Sequence, residues 1–201
     1  MRLYFFLLRL LVPLARLLFD VHYRGTAHIP SAGPLIVCCN HRSVIDPLLL
    51  AVPFRRQLRF MAKSELFEEH GRLAAWFLRT AGAFPVQRDK GDASSLRTAL
   101  EILDAGGVLG IFPQGRVIFD TSPFQPKAGF ALLAEKSGAP VLAVSIYCEG
   151  ELLRFRSRVT VRFGSPISAG ELLGGETARG GLRRASARLS KEINTLLEEK
   201  H

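Results

Sequence analysis

The chain has 201 residues, 48% of them apolar and 22% charged, which fits one domain with a real core, or one domain plus a small appendage, and excludes a disordered protein. Its formal net charge of +9 points to polyanionic partners, nucleic acid or an anionic lipid surface; no zinc-finger spacing, aromatic-basic motif or lysine-rich tail supports nucleic acid. Three cysteines, Cys38, Cys39 and Cys148, give neither a disulfide framework nor metal-ligand spacing, so a reducing cytosolic compartment is expected.

The N-terminal stretch MRLYFFLLRLLVPLARLLFD is crowded with Leu and Phe, yet Arg2, Arg9 and Arg16 recur every seven residues. On a helix that spacing places the three arginines near one face. The uncharged runs are too short to cross a bilayer, which needs about 20 apolar residues. A helix lying in the headgroup plane with its arginines on lipid phosphates is the reading adopted, over residues 1–22. A signal peptide and a buried core helix are the competing readings, and Pro13 is expected to kink or divide the helix.

From there strands and helices alternate. Strands are predicted over Pro34–Asn40, Gln57–Lys63, Ala83–Val86, Val108–Phe112 and Pro140–Ile146. Helices are predicted from near Ser43 through the LLLAV run, over Ser64–Ala81 and Ala93–Ala105, over Ala128–Ser137, and from Ala178 to the C-terminus as surface packing. In the Ser64–Ala81 helix, Leu66, Phe67, Leu73, Trp76, Phe77 and Leu78 supply the apolar positions. RFRSRVTVRFG reads as a half-buried strand with Phe155, Val159, Val161 and Phe163 inward and Arg154, Arg156, Arg158 and Arg162 on a basic outer face. The fold class expected is α/β, a mixed and mostly parallel sheet flanked by helices, with the interfacial helix at the N-terminus and residues 23–201 as the main domain.

The chemistry centres on NHRSVIDP, Asn40 to Pro47. His41 follows the end of a strand, and Asp46 lies five positions on, where a loop entering a helix could bring carboxylate and imidazole together. The carboxylate would then hold one ring nitrogen and leave the other as a base for the substrate's own hydroxyl. With Asn40, Ser43 and Pro47 beside the pair, the block resembles the first signature of the glycerolipid acyltransferases, the family of the lysophosphatidic acid acyltransferases. MAKSELF (Met61–Phe67), GAFPVQR (Gly82–Arg88), FPQG (Phe112–Gly115), KAGFALLA (Lys127–Ala134), APVLAVSI and VRFGSPI (Val161–Ile167) resemble later blocks in order, over about residues 24–168.

The resemblance implies that His41 is the general base and Asp46 its partner. It also implies transfer of a fatty acyl group from acyl-CoA or acyl-carrier protein to the hydroxyl of a lysophospholipid, with lysophosphatidic acid first in line, in phospholipid biosynthesis. Arg88 is the first choice for the acceptor's phosphate, with Gln114, Gly115, Arg116 and Lys63 behind it, since cationic groups bind phosphate through charge-assisted hydrogen bonds. No metal site or cofactor is implied. Membrane lipids, the acyl donor and the acceptor are the expected partners, nucleic acid is not, and the cytoplasmic face of the membrane is the expected location, peripheral or monotopic.

In the third block Gln114 stands for the family's glutamate, and Arg116 follows Gly115 directly where Thr-Arg is usual. Both changes make the local field more positive, which favours an anionic acceptor. Rival readings are a non-catalytic lipid-binding module of the same fold and a thioester hydrolase, although no Gly-x-Ser-x-Gly is present.

Overall fold

The structure, a computed structural model, describes residues 2–86, 93–118, 122–148, 155–175 and 178–199. Its strands are β1 (Asp20–Arg24), β2 (Leu35–Cys39), β3 (Leu58–Lys63), β4 (Ala83–Val86), β5 (Val108–Ile111), β6 (Val141–Cys148) and β7 (Arg158–Ile167). Its helices are α1 (Arg2–Leu18), α2 (Asp46–Ala51), α3 (Glu65–Glu68), α4 (Gly71–Thr80), α5 (Ala93–Asp104), α6 (Gly129–Ser137), α7 (Ala169–Leu173) and α8 (Ala178–Glu198). Among the described residues the strands form one sheet in the order β1-β7-β6-β2-β5-β3-β4. All pairings are parallel except β6 with β7.

A parallel sheet is covered on both faces, so its central strands are apolar throughout instead of alternating. LIVCC of β2 and VLGI of β5 are buried at every position. One face, carrying Val37, Leu58, Val144, Val161 and Phe163, packs under α1 and α2 through Ala15, Leu49 and Leu50. The other, carrying Ile36, Leu109, Val141 and Ala143, packs under α5, α6, α7 and α8. The expected α/β architecture is therefore the observed one.

Four details differ from expectation. The Ser64–Ala81 segment is two helices, because Gly71 at φ +79° takes a left-handed turn that glycine alone adopts readily. Of its apolar positions only Phe67 is buried; Leu66, Leu73, Trp76 and Phe77 are exposed. Helix α8 is more than surface packing: Ala185, Leu189 and Ile193 are fully buried, and the two larger chains stabilise by about 1.5–3 kcal/mol each. Helix α1 runs through Pro13 without dividing, and β1, absent from the sequence reading, follows it.

The fourth concerns β7. Its inward set begins at Val159, while Phe155 precedes the strand and is exposed. Arg162 is only 1% exposed, not part of an outer basic face. β7 lies between β1 and β6, and α8 covers the face opposite Val161. There the Arg162 Nη2 donates to the Glu199 carbonyl (2.9 Å), close to the C-terminal end of α8. Its guanidinium carbon lies 5.8 Å from the centre of the Tyr147 ring.

Candidate active site

Ligands of open α/β sheets bind beyond the carboxyl ends of the parallel strands. β2, β5 and β3 are consecutive neighbours in the sheet, so the segments leaving them meet: Asn40–Asp46, Phe112–Gly115 and the end of β3 at Lys63.

Asn40 shows why this residue closes the strand. The β2–β6 ladder ends at Cys39 opposite Val144. The Asn40 side-chain amide then continues it: Nδ2 donates to the Ile146 carbonyl (2.9 Å), and Oδ1 accepts from the Ile146 N–H (2.7 Å). A side chain that imitates a peptide group satisfies the neighbour strand while the main chain turns away.

The turn is organised around one buried oxygen. Asp46, with 0% exposure, opens α2, and its Oδ2 accepts from the backbone N–H of Arg42 (2.6 Å) and Ser43 (2.7 Å). The same oxygen lies 2.8 Å from His41 Nδ1. A carboxylate can only accept, so Nδ1 carries the proton and Nε2 keeps its lone pair. Ser43 Oγ accepts from the Ile45 N–H (3.4 Å), and Pro47 sits in the first turn, where a missing N–H costs nothing.

The imidazole is also held on its face and through its backbone. Phe112 stacks on it at 4.1 Å and 21°, and Phe60 lies behind Phe112 at 6.2 Å and 12°. Gly110 makes room for that stack, since a Cβ there would lie 2.5 Å from the Phe60 ring. The His41 N–H donates to Gln114 Oε1 (3.1 Å), and its carbonyl accepts from the Ile118 N–H (2.8 Å). Gln114 thus spends its oxygen on the base's backbone.

His41 stands on the wall of a cavity of about 920 Å³ lined mainly by apolar side chains from α1, α2, α3, α4 and α6. Lys63, Gly115 and Lys127 line it; Arg116 is exposed and absent from the lining, and Gln114 is absent from it too. Arg88 lies outside the described residues. The sequence reading singled out the Lys127 block without its lysine. The Lys127 N–H donates to the Pro113 carbonyl (2.9 Å), and its Nζ lies 3.4 Å from where a Cβ on Gly115 would stand. Phe112 and Gly110 were also unmarked, although a glycine inside a strand is a signal of close approach.

A cysteine nucleophile is disfavoured beside this histidine. Cys39 is fully buried, and burial, reinforced by the Asp46 carboxylate, pushes its thiol well above the usual value. Among the described residues no group of His, Cys, Asp and Glu could hold a metal ion.

Residues 20–147, more than half of the chain, match the family model described as Acyltransferase. The chain belongs to the acyltransferase family. This acyltransferase is 30% identical over 185 residues to the 1-acyl-sn-glycerol-3-phosphate acyltransferase of Streptococcus pneumoniae, covering 90% of this chain and 67% of that one. It is 28% identical over 145 residues to the Bacillus subtilis enzyme of the same name, covering 70% of each. Among solved structures it resembles the Thermotoga maritima 1-acyl-sn-glycerophosphate (LPA) acyltransferase PlsC, with a TM-score of 0.67 and 26% identity over 92% of this chain and 75% of that one. The chain is an enzyme of the acyltransferase class, as the sequence reading expected.

Proposed function

We propose that this acyltransferase moves a fatty acyl group from an acyl thioester, acyl-CoA or acyl-carrier protein, to the free hydroxyl of lysophosphatidic acid, giving phosphatidic acid for phospholipid synthesis. The observation that carries this reading is the His41–Asp46 pair (2.8 Å) on the wall of an apolar cavity that Lys63 and Lys127 also line. His41 Nε2 takes the acceptor hydroxyl's proton as the oxygen attacks the thioester carbonyl. The tetrahedral adduct collapses, the carbon–sulfur bond breaks, and the leaving thiol takes the proton back from His41. Asp46 stabilises the imidazolium in between. The acyl chain gains about 0.8 kcal/mol for each CH₂ it buries in the cavity. Lys63 and Lys127 attract the acceptor's phosphate, supported by Gly115 and by Arg88 from the second block. Relatives whose names specify 1-acyl-sn-glycerol-3-phosphate support this choice of acceptor.

Helix α1 holds the enzyme at the cytoplasmic face of the membrane as a peripheral or monotopic anchor. No helix among the described residues is long and apolar enough to cross a membrane. Phe6, Leu10, Leu14 and Leu17 of α1 are exposed, while Tyr4 and Ala15 face the protein. The arginine stripe then meets the headgroups.

The test incubates the full chain with labelled acyl thioester and a panel of lysolipids. Ester product should appear only with an acceptor, and faster with lysophosphatidic acid than with lysophosphatidylcholine. Thioester loss at an equal rate without any acceptor would make the protein a hydrolase, and no turnover at all would make it a binding module.

A further inference from the structure

We propose that α4, together with Val44 in the catalytic loop, is a second membrane-docking element, and that the cavity opens between α4 and α1 directly into an anionic lipid surface. The proposal rests on the anchoring role given to α1. In α4, Leu73 (83% exposed), Trp76 (53%) and Phe77 (39%) follow at helical spacing along one arc, while Ala75 and Leu78 pack inward against the cluster of Phe67 and Ala83. Large apolar side chains contiguous on an outer face mark an interaction surface.

Charge and continuity identify the occupant. Helix α4 carries Arg72 and Arg79, exposed, seven residues apart, and no acidic residue. Helix α1 repeats that design, with Arg2, Arg9 and Arg16 beside its exposed apolar strip. Arginines bordering apolar strips on two helices suit an anionic headgroup layer over an apolar interior. The outer surface also runs without a break into the cavity. Leu66, Phe77 and Val44 (84% exposed) are at once exposed and part of the cavity lining, and Leu7, Leu8 and Leu11 of α1 line it too. An acyl chain leaving the bilayer would meet apolar side chains all the way to His41. Helix α3 carries Glu65 and Glu68, and Glu69 follows it, so the hold at α4 is mainly apolar insertion and resists salt.

Trp76 is the single tryptophan of the chain, which makes the test intrinsic to the native protein. With vesicles of phosphatidylcholine and phosphatidylglycerol, Trp76 emission should shift to the blue and be quenched by bromine on the lipid acyl chains. Acrylamide in the water should quench it severalfold less than before, and high salt should leave these changes in the bound fraction intact. If the protein sediments with vesicles while Trp76 emission stays unmoved and open to acrylamide, α4 is not inserted and the proposal fails. Failure to sediment at all overturns it together with the anchoring role of α1. A Leu73→Gln variant, outside the cavity lining, gives the second reading. It should lose at least fivefold in rate on acceptor embedded in vesicles and keep its rate on a short-chain acceptor dissolved as monomers. Equal losses on both overturn the proposal. Wild-type protein inactive on every acceptor would overturn the reaction proposed above, while the Trp76 measurement would still decide the docking surface.

Discussion

The wall of the cavity around His41 and the rim around its mouth are made in opposite ways. Behind the wall the polar side chains are tied to named partners: Asn40 to Ile146, the Asp46 Oδ2 to three N–H groups, Gln114 to the base's backbone. At the rim, α1 and α4 leave Phe6, Leu10, Leu73 and Trp76 each more than half exposed. The wall is preorganised by hydrogen bonds that specify one geometry. The rim is exposed apolar surface, the partner proposed for it being a lipid bilayer.

The hardest blow to the wall is removal of the base. His41→Ala should lower acyl transfer by about 10²–10⁴-fold, read as kcat, with the melting temperature close to wild type. Asp46→Asn should cut kcat by a comparable factor, because an amide can donate to Nδ1 and so place the proton on the wrong nitrogen. A near wild-type rate in either variant would remove the mechanism. Asn40→Leu attacks the wall's frame: it strands both main-chain groups of Ile146 and should cost about 2–5 kcal/mol in denaturant unfolding. If stability is unchanged, the side-chain rungs are not holding β6. Phe112→Leu removes the ring stacked on His41, a contact of about 0.5–1.5 kcal/mol, so kcat should fall about twofold to tenfold with KM little changed. A change confined to KM would place Phe112 in substrate binding instead. The smallest effect belongs to Gln114→Glu. A carboxylate oxygen can still accept from the His41 N–H, so activity should stay within about threefold of wild type, whereas Gln114→Leu should cost about 1–3 kcal/mol of stability.

The same contrast explains what could be read in the sequence. Asn40, His41, Ser43, Asp46 and Pro47 were legible because their bonds are mostly local, and each residue type suits one position of a strand exit or a helix start. Most strand and helix positions were legible too, since apolar runs separated by glycine and proline mark a buried parallel sheet. Arg162 was not, because its burial depends on β1 and α8, which arrive from the two ends of the chain. Nor were Leu73 and Trp76, because periodicity shows that a helix has an apolar face and leaves open what that face meets. Strand β1, DVHYR, has too mixed a composition to stand out after the helix before it. Arg116 was offered as a phosphate ligand from its place in the third block; it follows the turn at Gly115 (φ +77°), is exposed, and is not among the residues lining the cavity.

One consequence of the sheet order concerns time. Among the described residues β1 pairs with β7 alone, Asp20 opposite Arg158, so the chain's first strand must wait for its last. Closing so long a loop is entropically slow, and on the ribosome it cannot begin until β7 has emerged. Throughout that interval α1 is a nascent segment with apolar residues on nearly every side and no sheet to cover them. On the anchoring role proposed for α1, a bilayer shelters the helix during that interval, and the sheet edge assembles afterwards.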